Sequence, residues 1–94
     1  MQMKTKVMKM DFSDVSRLLD EISDDRTVPR NVRNLILDAR NNLNSKQDIA
    51  VKINSAISIL DEVSNDSNIP IYTRTQIWNI VSMLEVMNEK SKEA

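Results

Sequence analysis

One gapless internal match constrains this chain more than any other feature. A shift of 41 residues lays Arg17–Leu43 over Ser58–Leu84, and 9 of the 27 aligned positions are identical. They are Leu19/Leu60, Asp20/Asp61, Glu21/Glu62, Ser23/Ser64, Asp25/Asp66, Pro29/Pro70, Arg33/Arg74, Ile36/Ile77 and Leu43/Leu84. Leu18/Ile59, Ile22/Val63, Asp24/Asn65 and Val28/Ile69 are conservative pairs. A repeat of this size is one supersecondary unit that cannot bury its apolar face alone. Two copies must therefore cover each other.

Each copy reads as helix, turn, helix. Phe12, Val15, Leu18, Leu19 and Ile22 recur at helical spacing. Asp11 or Ser13 stands where a helix cap is needed. Ser23–Thr27 ends the first helix, because short polar side chains bond locally to the backbone and favour turns. Pro29 suits the opening turn of the second helix, where its missing N–H costs nothing. Val32, Leu35, Ile36, Ala39 and Leu43 form that helix's apolar face. In the second copy, Ile49, Ile53, Ala56, Ile57, Leu60 and Val63 line a third helix, and Ser64–Asn68 makes the turn. After Pro70, Ile77, Ile80, Val81, Leu84 and Met87 form the main face of a fourth. The fold expected is all-α: an antiparallel up-down four-helix bundle of two duplicated hairpins, at about residues 11–44 and 47–90, within one domain spanning 11–94. A two-unit helical solenoid is the competing arrangement. It would leave more apolar surface uncovered than two hairpins closing on each other.

Composition excludes several kinds of chemistry. The chain has 94 residues and no Cys, His or Gly. That removes the usual zinc ligands, the thiol nucleophile, the imidazole base and the glycine loops that cradle phosphates. We expect no catalytic residue, no metal, no cofactor and no small-molecule substrate. A net charge of −1 gives no global attraction to nucleic acid or to an anionic membrane. No apolar run is long enough to span a bilayer, and absent cysteine fits a reducing, cytoplasmic setting. Met1–Met10 carries three lysines and lacks a signal-peptide core, so it reads as a basic arm.

The stretch Ser58–Glu85 resembles the signature of the uncharacterised archaeal protein family numbered 0147. Asn65-Asp66, Ile69-Pro70, Thr73-Arg74-Thr75 and Ile77–Ser82 carry the densest match, with support from Ile59–Glu62 and Val28–Asn31. Ser67 stands where the family pattern has a proline. The resemblance covers roughly residues 11–88. It implies a compact bundle of four helices in a cytosolic archaeal protein, and it implies no activity.

Three groups of residues are candidates for function. The carboxylates Asp20, Glu21, Asp61 and Glu62 sit at matching places, as do Arg33 and Arg74. We read them as structural ion pairs tying each turn to its following helix. A metal-dependent hydrolase built on the four carboxylates ranks far behind that reading, since carboxylate-bridged di-metal bundles also use histidine. Arg26, Arg30, Arg33 and Arg40 fall within about 80° of one another on the helical wheel, with Leu37 among them. This stripe is the candidate anion-binding or RNA-binding surface. The matching flank of the fourth helix carries Ile71, Trp78 and Val81 in place of Arg30, Leu37 and Arg40. Either Trp78 fills a core short of aromatics, against the arm at Val7 and Met8, or the three form a surface for a protein partner or a second copy. A non-enzymatic interaction or self-association module is the function expected, and RNA or ribonucleoprotein binding is the alternative.

Overall fold

A computed structural model describes residues 11–93; the basic arm falls outside them. Four helices follow in order: α1 (Ser13–Ser23), α2 (Arg30–Leu43), α3 (Ile49–Ser64) and α4 (Ile71–Glu93). No described residue is in a strand. Among the described residues, no helix is long and apolar enough to cross a membrane.

The packing decides between bundle and solenoid. Stacked solenoid units would set α1 on α3 and α2 on α4. Here α2 packs on α3 and α4 returns to α1, closing an antiparallel ring. The ends of the helices at the two matching turns obey the 41-residue offset. α1 ends at Ser23 and α3 at Ser64; α2 begins at Arg30 and α4 at Ile71. Copy two is longer at the opposite end, where α4 runs nine residues beyond the counterpart of Leu43.

Burial repeats with the same offset. Phe12/Ile53, Val15/Ala56, Leu19/Leu60, Ile22/Val63, Val28/Ile69, Val32/Thr73, Ile36/Ile77, Ala39/Ile80 and Leu43/Leu84 are all buried, both members of each pair. Ser16 is the other buried residue. The helical spacing anticipates most of this core, but Val28 and Ile69 lie in the turns and have no periodicity to reveal them. Each plugs the end of the bundle. Leu18, Leu35, Ile49, Ile57, Val81 and Met87 pack half-buried around the centre.

The local chemistry of the turns is also duplicated. Ser23 Oγ donates to the Asp20 carbonyl at 3.1 Å, and Ser64 Oγ to the Asp61 carbonyl at 2.8 Å. Asp25 Oδ1 accepts the Thr27 amide at 2.9 Å, and Asp66 Oδ1 accepts the Asn68 amide at 2.8 Å. Helix termini leave carbonyl and amide groups unpaired, and these short side chains satisfy some of them. Pro29 and Pro70 stand one position before the first helical residue. Their carbonyls accept the first intrahelical bonds, from Arg33 and Arg74 at 3.0 and 3.2 Å. At α1, Asp11 Oδ1 accepts the Ser13 amide at 2.9 Å. That N–H, and then the Ser13 hydroxyl, hold the Asp11 carboxyl below its ordinary value.

Candidate interaction surface

The paired carboxylates and arginines are arranged differently from the expectation. Asp20 meets Arg40, with Nε 2.7 Å from Oδ1, and not Arg33. Arg74 does not pair with Asp61 or Glu62. Its Nε donates to the Ser64 carbonyl and its guanidinium NH2 group to the Asp66 carbonyl, both at 2.9 Å. The reason lies in the helix end: the Ser64 carbonyl is the last of α3 and the Asp66 carbonyl lies in the turn beyond it, so both are free to accept from a charged donor. Glu21, Asp61 and Glu62 are exposed, and none forms an ion pair among the described residues. Arg33, the counterpart of Arg74, is half-buried and its Nε has no hydrogen-bond partner. Its charge instead acts on Asp25. Among the described residues, no group of three acidic side chains is placed to hold a metal ion.

The arginine stripe is broken up in the same way. Arg26 and Arg30 are exposed, whereas Arg33 turns inward and Arg40 is held by Asp20. One of the four cations is thus paired with an acidic side chain, and a second is half-buried. Leu37 stands exposed between them.

Tyr72 provides a contact that sequence reasoning missed. Its hydroxyl donates to Asp25 Oδ2 at 2.9 Å and lies 2.7 Å from Thr27 Oγ1. It thereby ties the start of α4 to the α1–α2 turn and helps close the ring. The Thr27 hydroxyl, then the Thr27 amide, then Tyr72, with the Arg33 charge last, hold the Asp25 carboxyl below its ordinary value. The Tyr72 counterpart is Asn31, so the repeat gives no hint of this bond.

A groove of about 550 Å³ opens between the start of α1, the end of α2 and the start of α3. Its cations already have partners, Arg17 with Asp14 among them. Arg40 meets Asp20, and Lys52 lies 5.1 Å from the Phe12 ring centre while donating to the Ser45 carbonyl at 3.3 Å.

The outer face of α4 is different. Ile71 is 80% exposed, Trp78 56% and Val86 55%. Among the described residues Trp78 is no part of the core: Ile77 and Ile80 take the inward positions, and the indole lies on the opposite side of the helix. Val7 and Met8, the cover expected for it, lie outside the described residues. Val81, expected both on the main apolar face of this helix and in the surface group, keeps the first place and not the second. It is half-buried and packs on the core, and Val86 takes its place on the outer face. The signal for Val86 was its distance of about four helical turns from Ile71, which returns it to the same side. Thr75, Asn79, Ser82 and Glu85 fill the spaces between the apolar groups, all exposed. A shallow groove of about 530 Å³ runs beside Ser82, Glu85, Val86, Glu89 and Lys90.

These features define a closed four-helix bundle with a tightly shared core and one apolar outer helix face. The chain belongs to UPF0147, an uncharacterised protein family, whose model matches residues 1–87. A UPF0147 protein of Methanocaldococcus jannaschii is 51% identical over 72 residues, 76% of this chain and 77% of that one. Another, of Methanothermobacter thermautotrophicus, is 46% identical over 79 residues, 83% of this chain and 78% of its own. A crystal structure described as that of the unknown function protein MMP1188 matches with a TM-score of 0.76 at 48% identity. The match covers 79% of this chain and 85% of that one.

Proposed function

We propose that this protein is a non-enzymatic docking module whose α4 outer face buries against another protein surface. The observation that carries this reading is the exposure of Ile71, Trp78 and Val86 along one side of a single helix. Large aliphatic and indole groups in water lose the free energy that burial would supply, and tryptophan is enriched where interfaces are tightest. The polar groups among them would form hydrogen bonds at the rim and fix orientation. Absent cysteine fits action in a reducing, cytoplasmic compartment. Arg40 is already paired with Asp20, which leaves Arg26, Arg30 and the half-buried Arg33 as the cations on which RNA binding would rest.

The test is affinity capture of tagged protein from its source cells, at low and high salt, with wild type beside Trp78→Glu. Protein partners that survive high salt and vanish with Trp78→Glu are expected. Capture that is unchanged by the substitution would remove the reading. Recovery of RNA lost steeply with salt would transfer the role to Arg26 and Arg30.

A further inference from the structure

We propose that the occupant of the α4 face is a second copy of this chain, its α4 running antiparallel about a two-fold axis beside Trp78 and Asn79. This rests on the docking reading above and names its partner. The first argument is the order of residues on the exposed face. Ile71 and Val86 lie equally far from the midpoint between Trp78 and Asn79, and so do Thr75 and Ser82. A two-fold interface must be self-complementary, because each residue meets the image of its opposite number. Antiparallel pairing about that midpoint sets Ile71 beside the partner subunit's Val86, apolar on apolar. It sets Thr75 against the partner subunit's Ser82, small on small, which lets the helices approach. Trp78 meets the partner subunit's Asn79 on each side of the axis, indole against amide, and the axis passes close enough for the two Asn79 positions to be linked across it.

The second argument is charge. Parallel pairing would stack Glu85 on its image and Glu89 on its image, with like charges along the seam. Antiparallel pairing removes both contacts. It also brings Lys90 and Lys92, together with Glu89, opposite the turn that holds the partner subunit's Asp66. That turn belongs to the acidic end of the bundle, where Asp24, Asp25, Asp61 and Glu62 also lie. The macrodipoles of the two α4 helices would then run in opposition, which is favourable.

The size of the face sets the strength. Ile71 to Val86 spans about 22 Å of helix. Two such faces bury on the order of 1,000 Å² in total, at the low end of specific interfaces. The dimer is therefore weak and reversible, and is read over a concentration series from micromolar to millimolar.

The chain contains no cysteine, so single thiols can be placed without background. The experiment combines sedimentation equilibrium of the full chain with short thiol crosslinkers on Asn79→Cys, Ile71→Cys and the double variant I71C/V86C. All three positions are exposed, and circular dichroism confirms that each variant keeps the wild-type fold. A concentration-dependent dimer is expected, linked through N79C alone and through I71C/V86C, and not through I71C alone. Trp78→Ala should weaken it by about tenfold or more. A wild type that stays monomeric to millimolar concentration would overturn the proposal, as would a dimer linked by I71C and not by N79C. A monomer whose salt-resistant partners still vanish with Trp78→Glu would discard the second copy and keep the docking reading. A monomer with unchanged capture would discard both.

Discussion

Thr73 is the residue at which the two copies disagree most sharply inside the core. Its counterpart Val32 is buried and apolar, yet Thr73 is fully buried and its Oγ1 has no hydrogen-bond partner. A hydroxyl taken out of water without a partner costs free energy that a methyl group would not. Thr73→Val keeps the branched shape and removes the orphan. The substitution should stabilise the fold by about 1 kcal/mol, read as a higher urea midpoint with an unchanged slope. A midpoint at or below wild type would show that the hydroxyl has a partner. The neighbouring Tyr72 has the opposite character: half-exposed, it finds partners in the other copy. Both residues are departures from the repeat, and neither role is readable from spacing, because spacing reports which side of a helix a residue occupies and not what meets it there.

Among the elements, the helices were legible because their apolar period is clean, and the turns because serine, aspartate and proline recur at matching places. The side-chain partners were less so. Sequence order suggested that Arg33 and Arg74 reach carboxylates one helix back, but a carboxylate near a helix end points outward while the terminal carbonyls face along the axis. Arg74 takes the carbonyls. Its counterpart Arg33 does not, and this predicts an unequal pair of substitutions. Arg74→Ala removes two charged hydrogen bonds that bind the end of α3 to α4, and should cost about 2–3 kcal/mol. Arg33→Ala removes no hydrogen bond from its Nε and should cost clearly less, on the order of 1 kcal/mol. Chemical denaturation of both variants checks the ranking, and equal losses would show that the two turns are held alike. The candidate surface was half legible. Ile71 and Trp78 were singled out by contrast with Arg30 and Leu37, whereas Val81 was placed both on the main apolar face and in the surface group, and Val86 was not singled out. Val81 borders the apolar arc of α4, and tertiary contacts decide on which side of that border a residue falls.

The molecule as a whole should unfold as one cooperative unit, because residues of both copies form one core cluster. Every buried position in copy one faces a ring that α3 and α4 complete, and α4 returns to α1 to close it. A two-unit solenoid would let one hairpin loosen while the other held, since stacked repeats contact only their neighbours. Ile36 and Ile77 offer a direct comparison: equivalent by the offset, fully buried, one in each copy. Replacing either with alanine leaves a cavity in the same shared centre and should cost about 2–5 kcal/mol. Trp78, the lone tryptophan, reports from copy two, and circular dichroism reports from all four helices. With Ile36→Ala, the cavity lies in copy one and the fluorophore in copy two, yet both probes should move together to the same lower denaturant midpoint. A fluorescence transition left near the wild-type midpoint while the helical signal falls early would mean that the hairpins unfold separately. Coincident transitions in both variants are what a closed ring requires, because the free energy lost at one position is withdrawn from the only core the two copies have.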